Sequence, residues 1–514
     1  MAAETSSSPA ANTLVVWAAA AALAVWIDEP MFARSEVADV TASGVKNRYD
    51  TAESAQLVSH DYASCKWPPR HADMSAPNED RRYHATENPI SGKNAVRLFP
   101  DQRGREPPTR CAATSTMVPV TSVVAQWGSS GLACLTGPRD GPPDFSRANI
   151  LDRAERIATA AGTETSAATL LAGRAGLLGL TRGGQISAGG ATRLLASRDG
   201  WCALTLSRPD DVAALPALLL VDEVPVDPWS ALQLWAAPRP VSEITERAGL
   251  LDIPVAALGE TAAAPVRIRQ TGSRSPTRAP AGLLVADLSS MWAGPLCGQL
   301  LARAGATVVK VESPRRPDGT RGGNRAFFDW MNSAKLAYCI DFDRQADELR
   351  ELLAVSDVVI EGSRPAALAR RRLGPDDVAP RTGRIWLRIT GHDEHSGRPA
   401  FGDDAAVAGG LVGSGIGAGF DGPVFCGDAI ADPLTGLEAT LAVVESLSRG
   451  GGEVIQLSMA AVAATYAALP TAASASPHPA PAPPAPSTTT PAAGLGADND
   501  HVRRLVAERR CLSC

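Results

Sequence analysis

Apolar and polar positions fall into their clearest order between Leu283 and Glu312, LLVADLSSMWAGPLCGQLLARAGATVVKVE. The pattern predicts an apolar strand, a tight loop, an amphipathic helix and a second apolar strand. Leu296 and Leu300 share one helical face, with Cys297, Leu301 and Ala304 beside it. Pro295 stands where a helix opens and a missing N–H is tolerated, and Gly305 stands where a C-terminal cap belongs. VVKVE, apolar on both faces apart from Lys310, reads as a buried parallel strand. The whole is a βαβ unit whose loop SSMWAGP lies at the carboxyl end of a strand, where open α/β sheets bind ligands. Downstream, LAYCIDF, DVVIEG, RIWLRIT and EVIQLSM alternate with helical stretches, the longest being Pro433 to Ser448. This alternation predicts an α/β fold with a mostly parallel, doubly wound sheet and helices on both faces.

A smaller α/β unit is predicted to precede it, over residues 119–270. A helical pattern, IATAAGTETSAATLLAGRAGLLGL, is followed by RLLASRDGWCALTL, where Asp199-Gly200 separates two strands as in a hairpin. The helix PVSEITERAGLLD and the short strand IPVAALGE complete the unit. Residues 271–280, TGSRSPTRAP, form a polar, Pro-bearing linker, so the larger unit spans 281–469. Residues 470–493, rich in Pro and Ala, read as a linker of polyproline character, and 494–514 as a terminal helix and tail. Residues 1–118 are poorly readable. From 28 to 118 no period of 2 or 3.6 is sustained, so an extended or partly disordered segment is expected.

Composition narrows the class. A chain of 514 residues with 45% apolar and 20% charged residues is long enough for about three domains and resembles an ordinary globular protein. The net charge of −6 argues against a nucleic-acid partner, which needs a dense cationic face, but leaves room for a local phosphate site. The apolar run Leu14–Ile27 is short for a membrane span, and MAAET before it lacks the positive residues of a signal peptide. No membrane association is expected, and a cytoplasmic location is. The nine cysteines show no metal-ligand spacing; the CxxC at Cys511–Cys514 has no partner pair, so no metal is expected.

DLSSMWAGPLCGQLLARAGATVVKVE resembles the opening of the class III (CaiB/BaiF) CoA-transferases. The likeness continues in order through MNSAKLAYCIDF, DVVIEGSRPAAL, FGDDAAVAGGLVG and IADPLTGLEA. VVAQWGSSGLACLTGPRDGPP, at Val123 to Pro143, resembles an opening of the longer actinobacterial members. The resemblance implies an enzyme that moves CoA between carboxylic acids, with coenzyme A or acyl-CoA as substrate and no metal or redox cofactor. Simpler members place the small unit after the large one and form interlocked dimers. The reversed order here leaves two arrangements open, a homodimer and a single chain doing that work internally.

The same resemblance assigns candidate residues. Its D-x-x-(S/T/G)-G motif carries a nucleophilic aspartate, which matches Asp432 of Asp432-Pro433-Leu434-Thr435-Gly436. Carboxylate attack on a thioester splits one hard step into two easier ones through a mixed anhydride and an aspartyl-CoA thioester. From the residues alone, Asp before Pro at a helix start is equally an N-cap. Asp428, four residues earlier, is an alternative nucleophile or a second carboxylate. Gly409 and Gly410 would let backbone N–H groups approach the reacting thioester, or are merely a glycine-rich turn. Met291, Trp292 and Ala293 match the family's adenine-side loop, and Arg370 an arginine near the CoA phosphates. Arg364, Arg371 and Arg372 make the surrounding segment densely cationic, although a solvated helix end reads the same way. Lys310, close to Glu312, reads as structural.

Other readings stay in view. A dinucleotide-binding loop would carry G-x-G-x-x-G, which SSMWAGP lacks. The α-methylacyl-CoA racemases resembled by this fold pair an Asp with a His; here Phe401-Gly402-Asp403-Asp404 occupies that stretch, and His392 and His395 match poorly. A catalytically inactive CoA-binding partner is the third alternative.

Overall fold

The computed structural model describes residues 122–511 apart from 365, 394–395, 416–421 and 488–489. The run Leu14–Ile27, residues 28–118 and Cys514 lie outside the described residues. The described chain opens with α1 (Val123–Ser129), α2 (Asn149–Ala160) and α3 (Ala167–Leu178). Ser166 caps α3, its hydroxyl accepting from the Thr169 N–H, and Gly179 closes it in the left-handed region at φ 65°. The hairpin follows as β1 (Thr192–Ala196) and β2 (Trp201–Thr205), antiparallel with Ala196 opposite Trp201. Helices α4 (Pro228–Ala236) and α5 (Val241–Leu250) lead to β3 (Val255–Ala257), which pairs with β2. Leu195, Leu204, Leu232, Trp235 and Ile244 form a small core of their own around these strands.

Strand β4 (Arg267–Gln270) enters the larger sheet, then β5 (Leu284–Asp287), α6 (Ala293–Arg303) and β6 (Thr307–Glu312) form the βαβ unit. Pro295 sits in the first turn of α6, and Gly305, at φ 93°, lies just past its end. The chain continues through α7 (Arg325–Asn332), β7 (Lys335–Cys339), α8 (Ala346–Val355), β8 (Val358–Glu361) and β9 (Ile385–Thr390). Then come α9 (Gly402–Ala408), the short pair β10 (Val412–Ser414) and β11 (Pro423–Phe425), and α10 (Ala431–Ser448). The last elements are β12 (Glu453–Ser458), α11 (Met459–Ala467) and α12 (Asn499–Cys511).

The sheet has seven strands in the order β4-β12-β9-β8-β5-β6-β7, all parallel except the edge strand β4. It is the mixed, mainly parallel α/β architecture expected. Alternation along β5 sends Leu284 and Ala286 to one face, against α8 and α12, and Val285 to the other, against α6 and α10. Helices α1 to α3 join that second core through Trp127, Leu151 and Leu171. The chain order reverses between β5 and β8, and at such a switch point an open α/β sheet offers a ligand crevice at the carboxyl ends of its strands.

Two features hold the elements that reach this crevice. Gly436 of α10 faces α6 so closely that a Cβ there would meet the Ala293 carbonyl oxygen at 2.8 Å. This explains the glycine of D-x-x-T-G as a packing requirement. Residues 470–487 also pack as a strap across glycines of α1 and α3: added Cβ atoms would meet the Pro479 carbonyl at 2.5 Å from Gly128 and the Pro484 carbonyl at 2.4 Å from Gly176. Asp329 and Arg325 then hold the Ala492 N–H and carbonyl. No helix among the described residues is long and apolar enough to cross a membrane.

Candidate active site

Asp432 is the second residue of α10 and does not cap it; its own N–H donates to the Ala429 carbonyl at 2.9 Å. Ala429, at φ 42°, bends the preceding turn through the left-handed region, an uncommon conformation for a residue with a Cβ. The backbone N–H groups of two other helix starts, Ala293 of α6 and Gly402 of α9, face the Asp432 carboxylate and favour its charged form. Gly402 must be glycine: a Cβ would lie 2.4 Å from Asp432 Oδ2 and 2.3 Å from the Ala429 carbonyl oxygen. Three helix N-termini thus converge on one half-buried carboxylate. Even so, the low-polarity surroundings outweigh the amides and push its proton affinity up to about 7, with Arg174 pulling the other way.

Three further carboxylates surround it. Asp403 accepts the Ala429 N–H at 3.0 Å, and burial together with the Asp428 charge pushes it up to about 6. Asp428, fully buried, is paired with Arg174 Nη1 at 2.6 Å and has no hydrogen-bond partner on Oδ2. Arg174 reaches in from α3, its guanidinium 5.6 Å from the Trp292 ring centroid and 5.5 Å from that of Phe327. Asp404 is fully buried at the start of α9, where Oδ1 accepts from the Phe401 N–H at 2.9 Å and the Thr205 hydroxyl at 3.2 Å.

Asp404 gives a direct pH test. Burial pushes it up to about 7, and Oδ2 has no hydrogen-bond donor facing it to favour the anion. A carboxyl that holds its proton more tightly when folded contributes stability that is complete below the unfolded pKa near 4 and is lost as pH rises through about 7. Asp404→Asn, the isostere of the acid, is expected to gain on the order of 2–3 kcal/mol over wild type between about pH 5 and pH 8. Thermal melts across that range check it, and parallel curves for the two proteins would contradict it.

The other expected residues are placed as follows. Ala293 turns its amide to Asp432, while Trp292 is buried between Arg174 and Phe327, edge-on to the latter at 5.4 Å. Met291 adopts φ 72° at the loop, its N–H directed at the Asp318 carboxylate. Gly409 and Gly410 end α9, and their N–H groups donate to Ala405 and Val407. These amides are spent inside the helix end and are not brought to Asp432. Gly409 is instead a close-packing site, since a Cβ would meet the Ala464 nitrogen of α11 at 2.4 Å. Arg364 pairs with Asp252 at 2.5 Å and Arg371 with Asp343 at 2.6 Å, whereas exposed Arg370 has no ion-pair partner among the described residues. Lys310 is buried and ion-paired with Asp318 at 2.7 Å. His392 is buried too, and burial pushes its ring down to about 4. Among the described residues no group of three His, Cys, Asp or Glu side chains could hold a metal ion.

Arg174 is the site residue that sequence reasoning missed. It stands in an apolar helix 254 positions before Asp428, with no motif around it. Asp403 was visible only as the residue standing where a racemase histidine falls.

Residues 281–495 match the family model described as CoA-transferase family III. It is 31% identical over 198 residues to the succinyl-CoA–L-malate CoA-transferase beta subunit of Chloroflexus aurantiacus, covering 35% of this chain and 48% of that protein. It is 31% identical over 201 residues to a formyl-CoA:oxalate CoA-transferase of Streptomyces avermitilis, covering 36% and 48%. A CAIB/BAIF family protein from Brucella suis, of known structure, is 28% identical with a TM-score of 0.34, covering 37% of this chain and 56% of that one. The chain spans about half the length of the curated relatives it matches.

Proposed function

We propose that this protein is a CoA-transferase that moves CoA between carboxylic acids with Asp432 as nucleophile. The observation that carries the reading is one half-buried carboxylate, faced by the Ala293 and Gly402 amides, in a segment that matches this family model. An Asp432 oxygen attacks the acyl-CoA carbonyl carbon, the C–S bond breaks, and a mixed anhydride forms as CoA thiolate leaves. The thiolate then attacks the Asp432 carbonyl carbon, releasing the donor acid and leaving an aspartyl-CoA thioester. An acceptor carboxylate repeats the two exchanges in reverse and departs as the new acyl-CoA. Neither proton nor electron is gained overall, so the proposed cycle calls for no redox partner.

The Ala293 and Gly402 N–H groups fix the attacking oxygen before reaction. Once Asp432 is acylated, the same amides are in place to stabilise the oxyanion on its own carbonyl. The half-open setting leaves one side of the carboxylate for substrate. Met291 and Trp292 would flank the CoA, and Arg370, unpaired and exposed, would meet its phosphates. The reading also includes a cytoplasmic enzyme, with two working forms open, a homodimer and a single chain.

The test is intact-protein mass after incubation with a panel of acyl-CoA thioesters, with and without hydroxylamine. A hydroxylamine-sensitive acyl or CoA adduct is expected with at least one thioester. An unmodified protein that exchanges deuterium at the substrate α-carbon would replace this reading with racemisation. An unmodified protein that binds CoA and exchanges nothing would make it a binding partner.

A further inference from the structure

Arg174 comes from outside residues 281–495, yet it occupies the centre of the carboxylate cluster. Its Nη1 bonds Asp428 at 2.6 Å, and its guanidinium lies over Trp292 and Phe327, with 17% of the side chain exposed. Asp403 and Asp432 both lie within its electrostatic reach. Its helix is held on the opposite side by the strap. A Cβ on Gly173 would meet the Trp330 ring at 2.7 Å and Pro486 at 3.2 Å, and one on Gly176 would meet the Pro484 carbonyl at 2.4 Å. The glycines on either side of Arg174 therefore seat α3 where the arginine enters the site.

The remaining titratable groups around α10 do not neutralise this cluster. Asp403 and Asp404 on α9 and Asp428 in the turn are acids. Cys297 on α6 is a thiol that burial pushes up to about 12. Arg153 of α2 is paired with Glu438 at 3.1 Å and lies over the Tyr466 ring of α11, two turns down the helix. Glu453 of β12 is taken by Ser446 and Arg449 at the far end.

We propose that Arg174 is a positioning residue for the transfer reaction: by pairing with Asp428 and facing Asp403, it offsets the negative charge around Asp432, so that the attacking carboxylate is ionised. The segment preceding residue 281 thereby completes the site in the same chain. This inference rests on the transferase reading. Without Arg174, Asp428 becomes an uncompensated buried anion, and the cluster relieves the repulsion by keeping a proton, which Asp432 then shares. A protonated Asp432 is a poor nucleophile.

The experiment is the pH dependence of adduct formation for wild type, R174K, R174M, D428N and R174M/D428N. For R174M the rate near neutral pH is expected to fall roughly tenfold or more, and to recover as pH rises, because each unit of displacement is tenfold in the ionised fraction. R174K keeps the charge and recovers part of the loss. D428N alone moves the midpoint to lower pH, and adding it to R174M restores most of the neutral-pH rate. A structural role would not give opposite shifts for the two partners. Unchanged midpoints, or an R174M loss that neither alkaline pH nor D428N rescues, would overturn the inference while leaving the transferase reading intact. A wild type that forms no adduct overturns both.

Discussion

Asp432→Asn is expected to reduce CoA transfer by roughly a thousandfold or more, the scale on which removal of a covalent nucleophile acts. The amide keeps the shape of the carboxylate and one acceptor oxygen, so an acceptor for the facing N–H groups of Ala293 and Gly402 survives. CoA binding should be unchanged, because the expected binding groups, Met291, Trp292 and Arg370, lie on other elements. The variant should also be no less stable than wild type above about pH 7, where an ionised Asp432 is costly in its half-buried setting. Initial rates set against CoA affinity by calorimetry separate these effects. A parallel loss of binding and rate would point to a collapsed site rather than to a missing nucleophile.

Lys335→Met is expected to cost about 3–5 kcal/mol of stability, the usual penalty for removing one member of a buried ion pair. Lys335 Nζ lies 2.8 Å from Asp287 Oδ2 and donates to the Pro295 carbonyl at 2.8 Å, with both charged groups sealed from solvent. Burial alone would raise the Asp287 carboxyl, but Lys335 and Lys310 outweigh it and hold Asp287 below its ordinary range. The substitution leaves Asp287 with the second lysine alone. The loss should reach the site as well. Lys310 donates to the Ser289 carbonyl at 3.0 Å, and Asp318 receives the Met291 N–H, so this network frames the loop that delivers Ala293. Urea unfolding measures the cost, and Asp287→Leu added to Lys335→Met should return most of it. No recovery in the double variant would mean that packing, not an orphaned charge, sets the loss.

How far the site was legible depends on what kind of group carries each role. The βαβ unit announced itself because Pro295, Gly305 and the spacing of Leu296 and Leu300 each bear on local backbone geometry, and that geometry is what the structure has. Asp432 was visible through its motif, but its two amide partners leave no side-chain signature. Only the absence of a Cβ at Gly402 and Gly436 hints that other backbones pass there. Gly409 looked like an exposed amide donor for the same reason, and its freedom is used instead for the approach of α11. Arg174 was invisible because local pattern carries no information about a partner 254 residues away. Its neighbours Gly173 and Gly176 seat the strap.

The most direct test of the central claim is peptide mapping after hydroxylamine treatment of the enzyme loaded with a reactive acyl-CoA. Conversion to a hydroxamate at Asp432, absent from unloaded enzyme, is the predicted result. Hydroxamate at Asp428 or Asp403 with an unmodified Asp432 would contradict the account and move the nucleophile to the neighbouring carboxylate.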